Sequence, residues 1–153
     1  MGAVFFYHLT ERPLERTLPV LLSKALEAGW RVAVRGRDPQ FLERLDRQLW
    51  AGDGFLPHGM AGGAHDTMQP VLLTTEAACP NRPSCVMSVG GADLFPDEVR
   101  SLERACILFD GADGAAVEHA RNQWRSLTGE GLSAQYWAEE DGRWVKKAES
   151  GGA

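Results

Sequence analysis

A chain of 153 residues can bury one core but is too short for two ordinary domains, so residues 1–149 are expected to form a single α/β domain with residues 150–153 as a disordered tail. An apolar fraction of 44% and a charged fraction of 24% disfavour disorder, and no run approaches the roughly 18 to 20 apolar residues that a membrane helix needs. The net charge of −5 argues against a surface built throughout for nucleic acid, because phosphate binding depends on Lys and Arg, and leaves room only for a local basic patch.

In chain order, "MGAVFFYHLTERP" lacks the basic n-region of a secretion signal, and Phe6 stands where myristoylation of Gly2 would require Ser or Thr. A cytoplasmic protein is expected. The stretch "AVFFYHL" (3–9) predicts a buried strand. In "ERPLERTLPVLLSKALEAG", leucines and alanines recur at helical spacing up to Gly29, with Pro19 either kinking the helix or marking its first turn. "WRVAVRG" (30–36) is a second strand, and Asp38-Pro39 supplies a cap and first-turn residue for the helix "QFLERLDRQLWA".

Strand, helix, strand, helix predicts a parallel sheet with helices packed on it. After a Gly-rich loop come three short apolar strands, "PVLLTT" (70–75), "SCVMSVGG" (84–91) and "ACILFD" (105–110). Pro96 opens a short helix through Leu102, and 114–127 form a longer one. Residues 132–148 are either a hairpin about Asp141-Gly142 or a strand followed by a docked tail.

The first strand-to-helix turn, "HLTERPLE", has no glycine, so neither a dinucleotide fingerprint nor a Walker loop can be placed there. "SVGGAD" (88–93) has two glycines but lacks the rest of either pattern and is weighed as a turn against a nucleotide contact. No Gly-x-Ser-x-Gly elbow is present. Cys79 and Cys85 are separated by five residues, unlike a zinc knuckle, and Cys106 belongs to an apolar strand; reduced thiols and no metal are expected. Of the histidines, His8 suits a hydrogen-bonded structural role, His65 an exposed one, and His58, in "GFLPHGMAGG" (54–63), is weighed as a general base against a rigid landmark.

On the 114–127 helix, Ala116, Ala120, Gln123 and Leu127 share one face, suited to lie on the sheet. Val117, Arg121, Trp124, Arg125 and Thr128 occupy the adjoining face, where an indole is flanked by two guanidinium groups. Arginine pairs with carboxylates and tryptophan supplies apolar contact, so an acidic peptide or a nucleic-acid strand would match this face. The alternative is that Trp124 is partly core and the arginines only solvate the helix.

Three stretches, "VFFYHL", "RLDRQLWAGDGFLPHGMAGG" (44–63) and "ARNQWRSLTGEGL" (120–132), resemble the chi subunit of bacterial DNA polymerase III, over about residues 3–137. The resemblance implies an α/β/α sandwich around a mainly parallel sheet, Rossmann-like but without a nucleotide-binding loop. It further implies a non-catalytic clamp-loader accessory protein, with no cofactor, that joins the psi subunit and binds the acidic C-terminal tail of single-stranded DNA-binding protein, meeting DNA only indirectly. By similarity Arg121 and Arg125 would pair with the tail's carboxylates and Trp124 would face its terminal phenylalanine. Val117 stands where the family has a basic residue. Trp50 and Phe55 correspond to the aromatic residues facing psi, and Pro57, His58 and the glycines after them are then structural. The rival functions are an α/β enzyme or nucleotide-binding protein with His58 in its site, and direct single-stranded DNA binding through Trp124 and the arginines.

Overall fold

The computed structural model describes residues 2–52 and 56–151. Strand β1 (Ala3–Leu9) leads into helix α1 (Leu14–Glu27), followed by β2 (Val32–Arg35), α2 (Pro39–Trp50), β3 (Gly59–Met60), β4 (Val71–Thr74), β5 (Cys85–Ser88), α3 (Pro96–Arg100), β6 (Arg104–Asp110), α4 (Gly114–Gly129), β7 (Ser133–Glu140) and β8 (Arg143–Ser150). The strands form one eight-stranded sheet in the order β3-β4-β2-β5-β6-β1-β7-β8. All pairings are parallel except β7 with β8, as expected for a mainly parallel three-layer sandwich.

Alternation along the strands builds two apolar layers, because successive side chains leave opposite faces. Val32, Val34, Met87 and Leu108 point to one face, where Leu18 and Leu22 of α1 and Leu42, Leu45 and Leu49 of α2 cover them. Ala33, Val86, Ile107 and Phe6 point to the other, beneath Val99 of α3 and Ala120 and Leu127 of α4. Phe6, Leu18, Leu22 and Leu127 are fully buried in these layers.

Local chemistry sets the element ends. Asp38 caps α2, its carboxylate accepting from the Gln40 amide at 3.0 Å, with Pro39 in the first turn. Helix α1 starts behind Pro13 and runs through Pro19, so Pro19 is an interior residue and not the first turn; it simply gives no N–H to the Glu15 carbonyl. Helix α3 ends at Arg100, two residues before the expected Leu102. The hairpin alternative holds for the C-terminal part: Asp141 (φ 53°) and Gly142 (φ 75°) form the two positive-φ positions of a tight β-turn, and β8 extends to Ser150 opposite Ala134. Within the Gly-rich loop, the short β3, Gly59–Met60, pairs in parallel with Leu72 and Leu73.

Two polar devices tie distant segments together. Glu139 is buried on β7 and accepts the backbone amides of Thr10, Glu11 and Arg12, each at 3.2 Å, with the Arg12 guanidinium 3.5 Å from its second oxygen. Arg35, buried at the end of β2, pairs with Glu98 of α3 at 2.7 and 2.9 Å. Burial works against the Arg35 charge, but the Glu98 hydrogen bond and attraction outweigh it and raise its pKa.

Candidate partner-binding face of helix α4

Helix α4 owes its placement to Asp113, whose carboxylate accepts from the amides of Ala115 and Ala116 at 3.0 and 3.4 Å. Ala120, Gln123 and Leu127 are buried against the sheet, the face expected from their spacing. Gln123 is not idle there: its side-chain oxygen accepts the Leu94 amide at 2.8 Å, fixing α4 to the segment before α3.

On the adjoining face, Arg121 is 64% exposed and its nearest carboxylate, that of Glu118, lies 4.0 Å away, a loose surface pair. Arg125 is exposed, with Nη1 donating to Asn122 Oδ1 at 2.8 Å. Trp124 is half-buried between them, 5.3 Å from the Phe6 ring and edge-on to Tyr136 at 6.1 Å. Val117, also half-buried, packs against the same cluster. The indole is therefore anchored in the core layer and also reaches the surface, with both guanidinium groups free to approach a ligand.

His8 has the hydrogen-bonded role expected of it, but its partner Tyr136 was not foreseen from the sequence. His8 Nδ1 and the Tyr136 hydroxyl are 2.7 Å apart, and the His8 ring lies tilted against that of Phe109 at 5.0 Å. Both feel Arg121. Burial, and then the Arg121 charge, lower the His8 pKa against the opposing effect of Asp110; burial raises that of Tyr136 while Arg121 acts in the opposite sense. It is the parallel β1–β7 pairing, with Phe6 opposite Tyr136 and His8 opposite Ala138, that brings Tyr136 to His8.

The second candidate surface lies across the sheet. Trp50 ends α2, 53% exposed, with its ring 4.2 Å from that of His58; Phe55 lies outside the described residues. His58 is 4% exposed, its Nδ1 donates to the Leu56 carbonyl at 2.6 Å, and Nε2 lies 3.4 Å from the Asp46 backbone carbonyl of α2 and 3.1 Å from its carboxylate. The ring thus satisfies loop and helix groups and supports Trp50, the landmark role. The Asp46 carboxylate, twelve residues away, had no sequence signal. Among the described residues no cluster of His, Cys, Asp and Glu could hold a metal ion, and no helix is long and apolar enough to cross a membrane.

No curated protein matches the sequence. A family model described as DNA polymerase III chi subunit, HolC, matches residues 1–135. That span runs from β1 into β7 and takes in both candidate surfaces, so this chain belongs to the DNA polymerase III chi subunit family.

Proposed function

We propose that this chain is a non-catalytic adaptor of the polymerase III clamp-loader assembly, which holds the acidic C-terminal tail of single-stranded DNA-binding protein on the outer face of α4. The observation that carries this reading is the placement of two exposed guanidinium groups, Arg121 and Arg125, on either side of a core-anchored Trp124. A tail ending in phenylalanine with a free carboxylate, preceded by aspartates, presents matching chemistry: carboxylates for the arginines and a ring for the indole. Because both guanidinium groups are exposed, each such pair contributes at most about 1 kcal/mol. Many tails on one coated strand raise the effective concentration, so a modest single-site affinity suffices.

Trp50, on the opposite face of the sheet, is assigned to the psi-type partner, so one subunit can hold both partners at once. The test is fluorescence anisotropy of a labelled acidic peptide ending in Asp-Ile-Pro-Phe. Saturable binding that is lost in Arg121→Ala, and lost when the terminal phenylalanine is removed, is the expected result. Equal binding by wild type and Arg121→Ala would sink the reading.

A further inference from the structure

The chain leaves the sheet in opposite directions at two neighbouring strands. After β1 it turns into α1 on one face, and after β6 it turns into α4 on the other. Open α/β sheets carry their ligands in the crevice that such a divergence opens beyond the carboxyl ends of the strands. Here that crevice is a cavity of about 680 Å³, within the range of small-molecule sites. It lies on the flank of α4 lined by Ala115 and His119, not the flank carrying Arg121 and Trp124.

Its lining has a definite chemistry. The "SVGGAD" loop forms one wall, with Gly90 (φ 60°) and Gly91 (φ 81°). The Phe41 ring lies beside Gly90 and the Arg37 guanidinium beside Gly91, each 3.5 Å from where a Cβ would stand, an ordinary contact distance, while the positive φ values favour glycine at both positions. Arg37 has no hydrogen bond or ion pair among the described residues, whereas the other arginine lining the cavity, Arg12, is taken by Glu139 and the Gly142 carbonyl. The lining also carries Asp110 and Asp113, whose carboxylates accept from the amides of Ala112 and of Ala115 and Ala116, together with Glu15 and with Glu11, which accepts the Gly142 amide at 3.0 Å.

We infer that this crevice binds a small anion carrying a planar ring with amine donors, of the nucleoside monophosphate class. Arg37 takes the anionic group, Phe41 the ring, and the aspartates the exocyclic amine. Asp113 already occupies the first amides of α4, so no helix end is left to cradle a pyrophosphate, and the carboxylates repel a more highly charged ligand. This explains how a site can exist without the glycine fingerprint whose absence was plain in the first turn. It is independent of the tail-binding reading and uses none of its residues.

The experiment is a titration of the isotope-labelled full chain with adenosine 5′-monophosphate, adenosine and inorganic phosphate, followed by amide chemical shifts. Expected are saturable shifts at Arg37, Gly90, Gly91 and Ala115 with the nucleotide, at least tenfold weaker with adenosine or phosphate alone. Arg37→Ala and Phe41→Ala each weaken nucleotide binding about tenfold or more, equivalent to 1.4 kcal/mol, while Arg143→Ala on β8 does not. The inference is overturned by no saturation up to about 10 mM, by Arg37→Ala binding as wild type does, or by phosphate alone reproducing the shifts. The spectra themselves report whether each variant is folded.

Discussion

Nδ1 of His8 and the hydroxyl of Tyr136 meet at 2.7 Å, joining β1 to β7 directly beneath the helix that carries Arg121. Burial and the neighbouring guanidinium favour the neutral imidazole. A histidine whose pKa is lowered on folding binds fewer protons folded than unfolded, so its stabilising effect is complete above the unfolded value of about 6.5 and is lost as pH falls below it. Denaturant titrations at about pH 7.5 and pH 5.5 should show a larger loss for wild type than for His8→Gln. Parallel behaviour of the two proteins would remove His8 from the account.

Gly111 follows β6 directly opposite this pair. A Cβ there would clash with the His8 ring, 2.1 and 2.2 Å from Nε2 and Cδ2, and lie 2.8 Å from the Leu9 carbonyl oxygen. Gly111→Ala is expected to lower stability by about 2 kcal/mol through overpacking, read as a shifted denaturation midpoint. Adding His8→Ala should recover part of the loss, because the clash is with that ring; a strictly additive double variant would contradict the geometry.

Val117 sits one turn before Arg121, half-buried beside Trp124. A lysine there can lay its methylenes along the same apolar surface and extend its ammonium group beside Arg121. Val117→Lys should tighten acidic-tail binding by roughly threefold at low salt and steepen its salt dependence, as expected of an added exposed charge. Unchanged affinity in the anisotropy assay would place the tail away from this turn of α4.

Glu139 holds the turn between β1 and α1 through three backbone amides. Its removal leaves those donors unpaired and Arg12 without its partner, so Glu139→Ala is expected to cost about 3 kcal/mol. Glu139→Gln keeps an accepting oxygen and should cost markedly less. Equal losses in the two variants, measured by denaturant unfolding, would mean that the amides find other partners.

The elements legible in the sequence are those whose signal is local. The Asp38-Pro39 start of α2 and the apolar strand at 3–9 stand as expected, and of the two alternatives for the C-terminal part the Asp141-Gly142 hairpin is the one formed; each signal is carried by neighbouring residues. The α4 faces followed from helical spacing, since Ala120, Gln123 and Leu127 are buried while Arg121 and Arg125 are exposed. What was illegible depends on strand order. The Glu139 clasp spans 127 to 129 residues, the Arg35–Glu98 pair 63, and the His8–Tyr136 contact 128; no pattern along the chain encodes which strands become neighbours. β3 escaped notice because two residues beside glycines carry no periodicity.

The position of β1 between β6 and β7 also dictates an order of events during synthesis. The apolar strand "AVFFYHL" emerges from the ribosome roughly a hundred residues before Ile107, which pairs with Phe6, and longer still before Tyr136. Until then it has no partner strand on either side, and both strand pairings that will hold it span most of the chain, which makes for slow, late closure. Nascent chains that stop short of β6 therefore carry a sticky, unpaired hydrophobic strand, a ready substrate for the cell's chaperones and a seed for aggregation when they are absent.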